Sequence, residues 1–133
     1  MNKIIRHPVA LAALLALAVQ PMTSQALDES DFNFDTTENL LKVCGATGDS
    51  PGAREALLSC RAFIEASVQY HDAVSDKKRA KRLICYNAND TIEDGRQAFL
   101  TWGAENKGNQ TLMNEMPVVG VVRALAKARP CKK

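Results

Sequence analysis

Apolar residues recur at steps of three and four through most of the chain beyond residue 35, the spacing of helices with one buried face. The longest stripe runs Ala53, Ala56, Leu57, Cys60, Phe63, Ile64, Ser67, Val68 and His71. It predicts a helix from Pro51 to about Val74, with Phe63 inward and Glu65 outward. Ser50 supplies the cap, and Pro51 suits a first turn, where its missing N–H has no partner to lose. Ahead of it, Asp35 with Glu38 resembles a capping box for a short helix ending near Cys44, where Gly45 is the stop. Ala46–Ser50 is a turn-rich connector, and the acidic, aperiodic stretch Leu27–Phe34 is expected to be a loose arm.

Beyond the long helix, Ser75–Arg82 holds five bases and forms either a polar last turn or an exposed linker. Asp90 or Thr91 caps a third helix whose inner face is Ile92, Gly95, Phe99 and Trp102, ending near Asn106. Lys107–Asn114 is a polar connection around Gly108. A last helix runs through Val118, Val119, Val122, Leu125 and Ala126 to about Arg129, and Pro130 ends it. Pro117 falls harmlessly in its first turn if Asn114 is the cap. No alternating runs bounded by turns call for strands, so the expectation is an all-α fold, a small four-helix domain.

The first 26 residues follow another pattern. Lys3 and Arg6 precede an apolar run from Pro8 to Val19, and Ser24-Gln25-Ala26 supplies the small residues of a cleavage site. The run is shorter than the roughly 20 residues that span a bilayer. The expectation is a signal peptide over 1–26, cut near Ala26, and a mature domain over 27–133 without a membrane span, periplasmic or secreted. Removing 26 of the 133 residues leaves 107, enough for one domain with a thin core. Lys3 and Arg6 leave with the signal, so 15 of the 17 bases face 15 acids. That balance argues against nucleic acid as a partner. The charges are unevenly placed, with acids first from Asp28 to Glu38 and bases last from Arg123 to Lys133. Solvated ends with some mutual attraction explain this; a two-faced surface steering a partner is the sharper reading.

All four cysteines, Cys44, Cys60, Cys85 and Cys131, lie downstream of the signal, which predicts pairing into two disulfides in an oxidising compartment. Their separations of 16, 25 and 46 positions contain no close pair of the kind that holds structural zinc or a C-x-x-C redox centre. Catalysis has little to work with. His71 is the one histidine after the signal, and it continues the buried stripe, as a packed residue would. Glu93-Asp94 sits where a first helical turn favours acids, and no glycine-rich phosphate loop is present. Asn89-Asp90-Thr91 and Asn109-Gln110-Thr111 match the glycosylation triplet but stand where helix caps are expected. Trp102, Tyr70 and Tyr86 are either core or interface anchors. No metal, cofactor or catalytic set is expected.

Several fragments together resemble a known family. Asn39-Leu40-Leu41-Lys42-Val43-Cys44 is followed by Ser59-Cys60-Arg61-Ala62-Phe63-Ile64-Glu65-Ala66, then Ile84-Cys85, Phe99-Leu100 and the closing Ala124-Leu125-Ala126-Lys127-Ala128-Arg129-Pro130-Cys131. This ordered set is similar to the periplasmic immunity proteins of type VI secretion amidase toxins, the Rap/Tai group. The chain departs from that pattern at Phe63 and Ala66, where the family tends to have tyrosine and glycine, and at Asn87 in place of proline. The resemblance implies a compact helical inhibitor, often a homodimer and not an enzyme, that blocks a peptidoglycan amidase by occupying its substrate groove. If that mode carries over, Lys107, Asn109, Gln110, Thr111 and Asn114 form the insertion loop, against the plainer reading of an ordinary connector.

Helix geometry suggests the cysteine pairing. Cys44 ends the first helix, and Cys60 lies in the early turns of a second that folds back on it; Cys85 precedes the third helix and Cys131 follows the last. Cys44–Cys60 and Cys85–Cys131 is therefore the expected choice among three connectivities. The alternative reading of function is a periplasmic stress chaperone of the acid-responsive helical kind, though those are shorter, with fewer cysteines. An exported accessory subunit of an enzyme is a third.

Overall fold

A computed structural model describes residues 27–76 and 80–132; the export signal proposed for 1–26 and part of the basic run after Asp76 fall outside the described residues. Five α-helices follow a short 3-10 helix, Glu29–Asn33: α1 Thr37–Cys44, α2 Pro51–Asp76, α3 Ile92–Asn106, α4 Gln110–Met113 and α5 Pro117–Ala128. No strand is present among the described residues, only a single bridge between Ile84 and Pro130. The fold is all-α, as the periodicity predicts. The four expected helices are all there, and α4 is one extra turn inside the stretch expected to be a connector.

The caps show why the boundaries fall where they do. Ser50 Oγ accepts the Ala53 N–H at 3.2 Å to start α2, and Thr91 with Asp94 forms a reciprocal capping box on α3. On α1 the box is Thr36 with Asn39, one residue beyond the expected Asp35–Glu38 pair. Asn114 does not open α5; it closes α4, and Pro117 begins α5 behind an extended Met116. The N-terminal arm is not loose. Asp28 and Asp31 cap the 3-10 helix, and the buried Asp31 carboxylate meets Lys42 at 2.6 Å and the Asp28 N–H at 3.0 Å. Phe34 turns the chain in the left-handed region and sets its ring edge-on to Phe63 at 5.5 Å. Sequence periodicity could not reveal this arm, because its order comes from partners elsewhere in the chain.

Helix α1 lies at the centre, touching every other α-helix and the arm. Thr37, Leu40, Val43 and Cys44 are fully buried on it. Two glycines let neighbours close on it. A Cβ on Gly103 would stand 2.4 Å from Leu41 Cδ2, and one on Gly120 would stand 2.5 Å from Thr37 Cγ2. The C-terminal end of α1 is held by Arg96, whose guanidinium donates to the Cys44 carbonyl at 2.6 Å while pairing with Glu93. Around α1, the core is completed by Ala56, Cys60 and Ile64 of α2, stacked Phe99 and Trp102 of α3, Met113, and Val121, Ala124 and Leu125 of α5.

The disulfides take the expected pairing. Cys44–Cys60 spans a Cα distance of 5.0 Å and Cys85–Cys131 one of 4.9 Å, both ordinary for the bond. The first ties α1 to α2. The second ties the segment before α3 to the tail after α5, beside the hydrogen bond from the Cys85 N–H to the Arg129 carbonyl.

One expected face needs correction, and the face of α5 is set only by the structure. Phe63 is only half-buried, packed against the arm, whereas Ile64 beside it is fully buried. On α5 the inner face is Pro117, Gly120, Val121, Ala124 and Leu125. Val118, Val119, Val122 and Ala126 are half-exposed instead. A helix apolar on nearly every side gives no single phase to its periodicity, and the contact between Gly120 and Thr37 chooses the phase here. Among the described residues the terminal bases do not pair with the terminal acids either. Arg123 meets Glu115 at 2.8 Å and Arg129 meets Asp90 at 2.8 Å, so the mutual attraction is with nearer acids.

These contacts set two measurable expectations. Ile64→Ala should cost about 2–5 kcal/mol in denaturant melts, while Thr101→Ala, on the exposed face of α3, should change stability by less than about 0.5 kcal/mol. Phe63→Ala should fall between them; a loss as large as that of Ile64→Ala would move Phe63 into the core. Acid is the second probe. Hydrogen bonds from Arg129 and the Asn87 amide hold Asp90 at about 2, and those from Arg96 and Gln97 hold Glu93 at about 2. Both carboxyls are thus depressed on folding. Their stabilisation is complete above the ordinary carboxylate range near pH 4 and lost as pH falls toward 2. Thermal melts between pH 5 and pH 2 should show a shallower fall in Tm for Asp90→Asn than for the parent protein.

Candidate protein-binding surface

The five residues singled out as an insertion loop lie in the turn and the short α4 between α3 and α5. Lys107, Asn109, Gln110, Thr111 and Asn114 are all exposed. The turn is nevertheless built firmly. Asn109 Oδ1 accepts the Leu112 N–H at 3.3 Å to cap α4, and Asn106 folds back to donate to the Trp102 carbonyl at 2.7 Å. Met113 is 2 % exposed and plugs the turn into the core. Below it, the Thr37 N–H donates to the Glu115 carbonyl at 2.8 Å and the Thr37 hydroxyl at 3.0 Å. Polar side chains are thereby displayed on a rigid base, so binding would not have to order a floppy loop. Asn109 alone uses its side chain as a cap, which leaves the side chains of Lys107, Gln110, Thr111 and Asn114 to face a partner.

Periodicity did not indicate what adjoins this turn. Met116, 64 % exposed, leads from it into α5. There the outward residues Val118, Val119, Val122, Arg123 and Ala126 line a shallow groove of about 400 Å³ together with Leu83. Leu83 is itself 45 % exposed. A polar turn, an exposed methionine and an apolar groove thus form one continuous surface, with the charges of Arg123 and Glu115 already paired on it. Exposed apolar area rimmed by polar groups is what a protein partner covers. A visible signal existed: four valines, a leucine and three alanines on one short helix exceed what one inner face can bury.

Leu83 is held in place by the histidine that was considered for catalysis. His71 Nε2 accepts the Leu83 N–H at 3.1 Å and the Ile84 N–H at 3.4 Å, with Nδ1 3.2 Å from Asp72. Both ring nitrogens are therefore engaged in fixing the chain. Burial disfavours the charge on Asp72, but the Tyr86 hydroxyl, His71 and Arg82 outweigh it and hold the carboxyl below its ordinary range. Burial and the Asp72 hydrogen bond push the Tyr86 phenol up to about 12. All four cysteine sulfurs are in disulfides, so no thiol nucleophile stands near this cluster. A second hollow, about 190 Å³, lies between α2, α3 and α5, floored by Ile64, Val68, Ile92 and Leu125. At its mouth Asp90 pairs with Arg129 and Asp94 caps α3 with Thr91. Among the described residues no cluster of histidine, cysteine and carboxylate is placed to hold a metal, and no helix is long and apolar enough to cross a membrane.

Comparison with known proteins gives the family of the chain. The family described as Rap1a immunity proteins matches residues 36–131, from the cap of α1 to the last cysteine. No curated protein and no solved structure matches the chain. An immunity family implies a partner that is a secreted protein effector, bound by a non-enzymatic inhibitor. The paired cysteines fit a secreted or periplasmic chain. By its matched span, which covers all five helices and both disulfides, this chain belongs to the Rap1a immunity protein family.

Proposed function

We propose that the protein is exported to the periplasm, with cleavage near Ala26, and there binds and blocks a peptidoglycan amidase effector of type VI secretion. The observation that carries this reading is the turn Lys107–Asn114, continuous through Met116 with the α5 groove. An amidase cleft that accepts a glycopeptide must offer polar partners along an open channel. Lys107, Gln110 and Thr111 present an ammonium, an amide and a hydroxyl on a base fixed by Met113 and Thr37, as an inserted plug requires. The groove beside it supplies the apolar area that a polar plug lacks, and a tight interface needs about 800 Å² on each partner. A second copy of the chain belongs to the same reading, since the resemblance implies a dimeric inhibitor. The inhibitor acts by occlusion and carries out no reaction itself.

The test is inhibition of a purified amidase encoded beside this chain, measured on peptidoglycan fragments. The oxidised protein should suppress turnover stoichiometrically and hydrolyse nothing alone. The double variant Gln110→Ala/Thr111→Ala and the groove variant Val122→Glu should each weaken inhibition at least about tenfold, the loss expected when one interface anchor is removed. Both should retain the helical signal of the parent. Protection of many unrelated clients from acid aggregation, without a single tight partner, would replace this reading with the chaperone one.

A further inference from the structure

The hollow between α2, α3 and α5 takes no part in the surface described above. It shares no lining residue with the α5 groove; Leu83 lines the groove, whereas Ile84 and Tyr86 line the hollow. Its volume of about 190 Å³ exceeds the roughly 150 Å³ of an apolar cavity that takes up benzene. Ile64, Val68, Ile84, Ile92 and Leu125 make its walls aliphatic. Water there finds few hydrogen-bond partners, so an apolar group that displaces it gains affinity. Gly95 keeps the space open. A Cβ at that position would stand 3.4 Å from Ile64 Cγ2 and 3.5 Å from Leu125 Cδ2, ordinary contact distances, so alanine would fit. Glycine inside a helix is less stable than alanine. The chain therefore carries the less stable residue where filling the gap would cause no strain, and a gap of that kind suits an occupant.

The mouth is charged. Asp90 and Arg129 pair there at 2.8 Å and neutralise each other. The start of α3 and the end of α5 also meet at the mouth, with opposite partial charges that offset. Asp94 is left to decide the sign. Its Oδ2 accepts the Thr91 hydroxyl at 2.7 Å and the Thr91 N–H at 2.8 Å. Oδ1 has no hydrogen-bond or ion-pair partner among the described residues. The bonds from the Thr91 hydroxyl and amide hold this carboxyl below its ordinary range, so it is ionised at neutral pH. We propose that the hollow binds a small organic amine, an apolar body the size of one ring or branched chain carrying a single ammonium group. The body fills the space beside Gly95, and the ammonium pairs with Asp94 Oδ1 at the mouth. An anion of the same shape would meet Asp94 in that place and be repelled.

Volume sets the size of the ligand and the exposed mouth sets its strength. A ring with one short arm, about eight non-hydrogen atoms, fills the space and reaches the carboxylate. One buried ring with one rim ion pair gives a Kd below about 1 mM, and salt weakens the ionic share. Amidase binding does not bear on this site, which shares no residue with the turn or the α5 groove and would belong to the chain whichever effector it binds.

Titration of the isotope-labelled, oxidised protein with benzylamine, followed by NMR, provides the test, with benzoate as an anion of like shape. Benzylamine should shift the amide signals of Gly95, Ala98 and Leu125 and saturate, and benzoate should bind at least about tenfold more weakly. Asp94→Asn, which keeps an oxygen for the Thr91 N–H, should reduce that difference to less than about threefold. Gly95→Ala should weaken benzylamine while raising Tm, since the methyl group fills part of the hollow and the chain no longer bears a helical glycine. Ala98→Leu, which puts a larger side chain into the wall, should abolish binding, with circular dichroism confirming that the variant is folded. Absence of saturation at several millimolar benzylamine would overturn the site. Equal binding of benzoate, or a preference that survives Asp94→Asn, would overturn the ammonium seat. Binding unchanged in both Gly95→Ala and Ala98→Leu would put the amine elsewhere and overturn the hollow as its place.

Discussion

Burial of the eight-residue helix α1 is the constraint on which the rest of the molecule depends. So short a helix has little stability of its own in water, and it persists because every other α-helix packs against it. Its contacts set their positions in return. Gly103 and Gly120 admit Leu41 and Thr37 at distances that any side chain would forbid, and so fix how α3 and α5 lie. Cys44 fastens α1 to α2 through the first disulfide, and Arg96 satisfies the Cys44 carbonyl from α3. A thin core is thereby organised around one element, with covalent help at its end.

The same helix reaches the candidate surface. Thr37 spends its backbone N–H and its hydroxyl on the Glu115 carbonyl, at the point where the exposed turn gives way to α5. That contact, with Met113 plugged into the core, gives the turn its rigid footing. It also sets the rotation of α5, and so decides which valines face inward and which line the groove. On the far side of the groove, Leu83 is held by His71. Stability and recognition therefore share parts. A destabilising change at Thr37 or Gly120 would be felt at the candidate surface as misplacement, although both residues are buried.

The arrangement also accords with a family whose members bind a protein effector. Its polar groups are largely occupied by one another: His71 with two amides, Tyr86 with Asp72, Asp90 with Arg129. What remains unsatisfied is surface. The turn and the groove on α5 are such surfaces, the one polar, the other apolar. Membership of an immunity family accords with a protein whose chemistry lies in shape and contact.

The sequence by itself determined the helical class, the long stripe of α2, the caps at Ser50 and Thr91, and the cysteine pairing that follows from where the helices end. These are local matters: periodicity and capping depend on residues three or four apart. It misplaced what depends on distant partners. The arm from Leu27 to Phe34 looked featureless because its order comes from Lys42 and Phe63, and the inner face of α5 could not be read because its residues are apolar on most sides. The five turn residues were legible as polar and exposed. That they stand on a buried Met113 and run into an apolar groove with Leu83 was decided only by tertiary packing, which joins segments far apart in the chain.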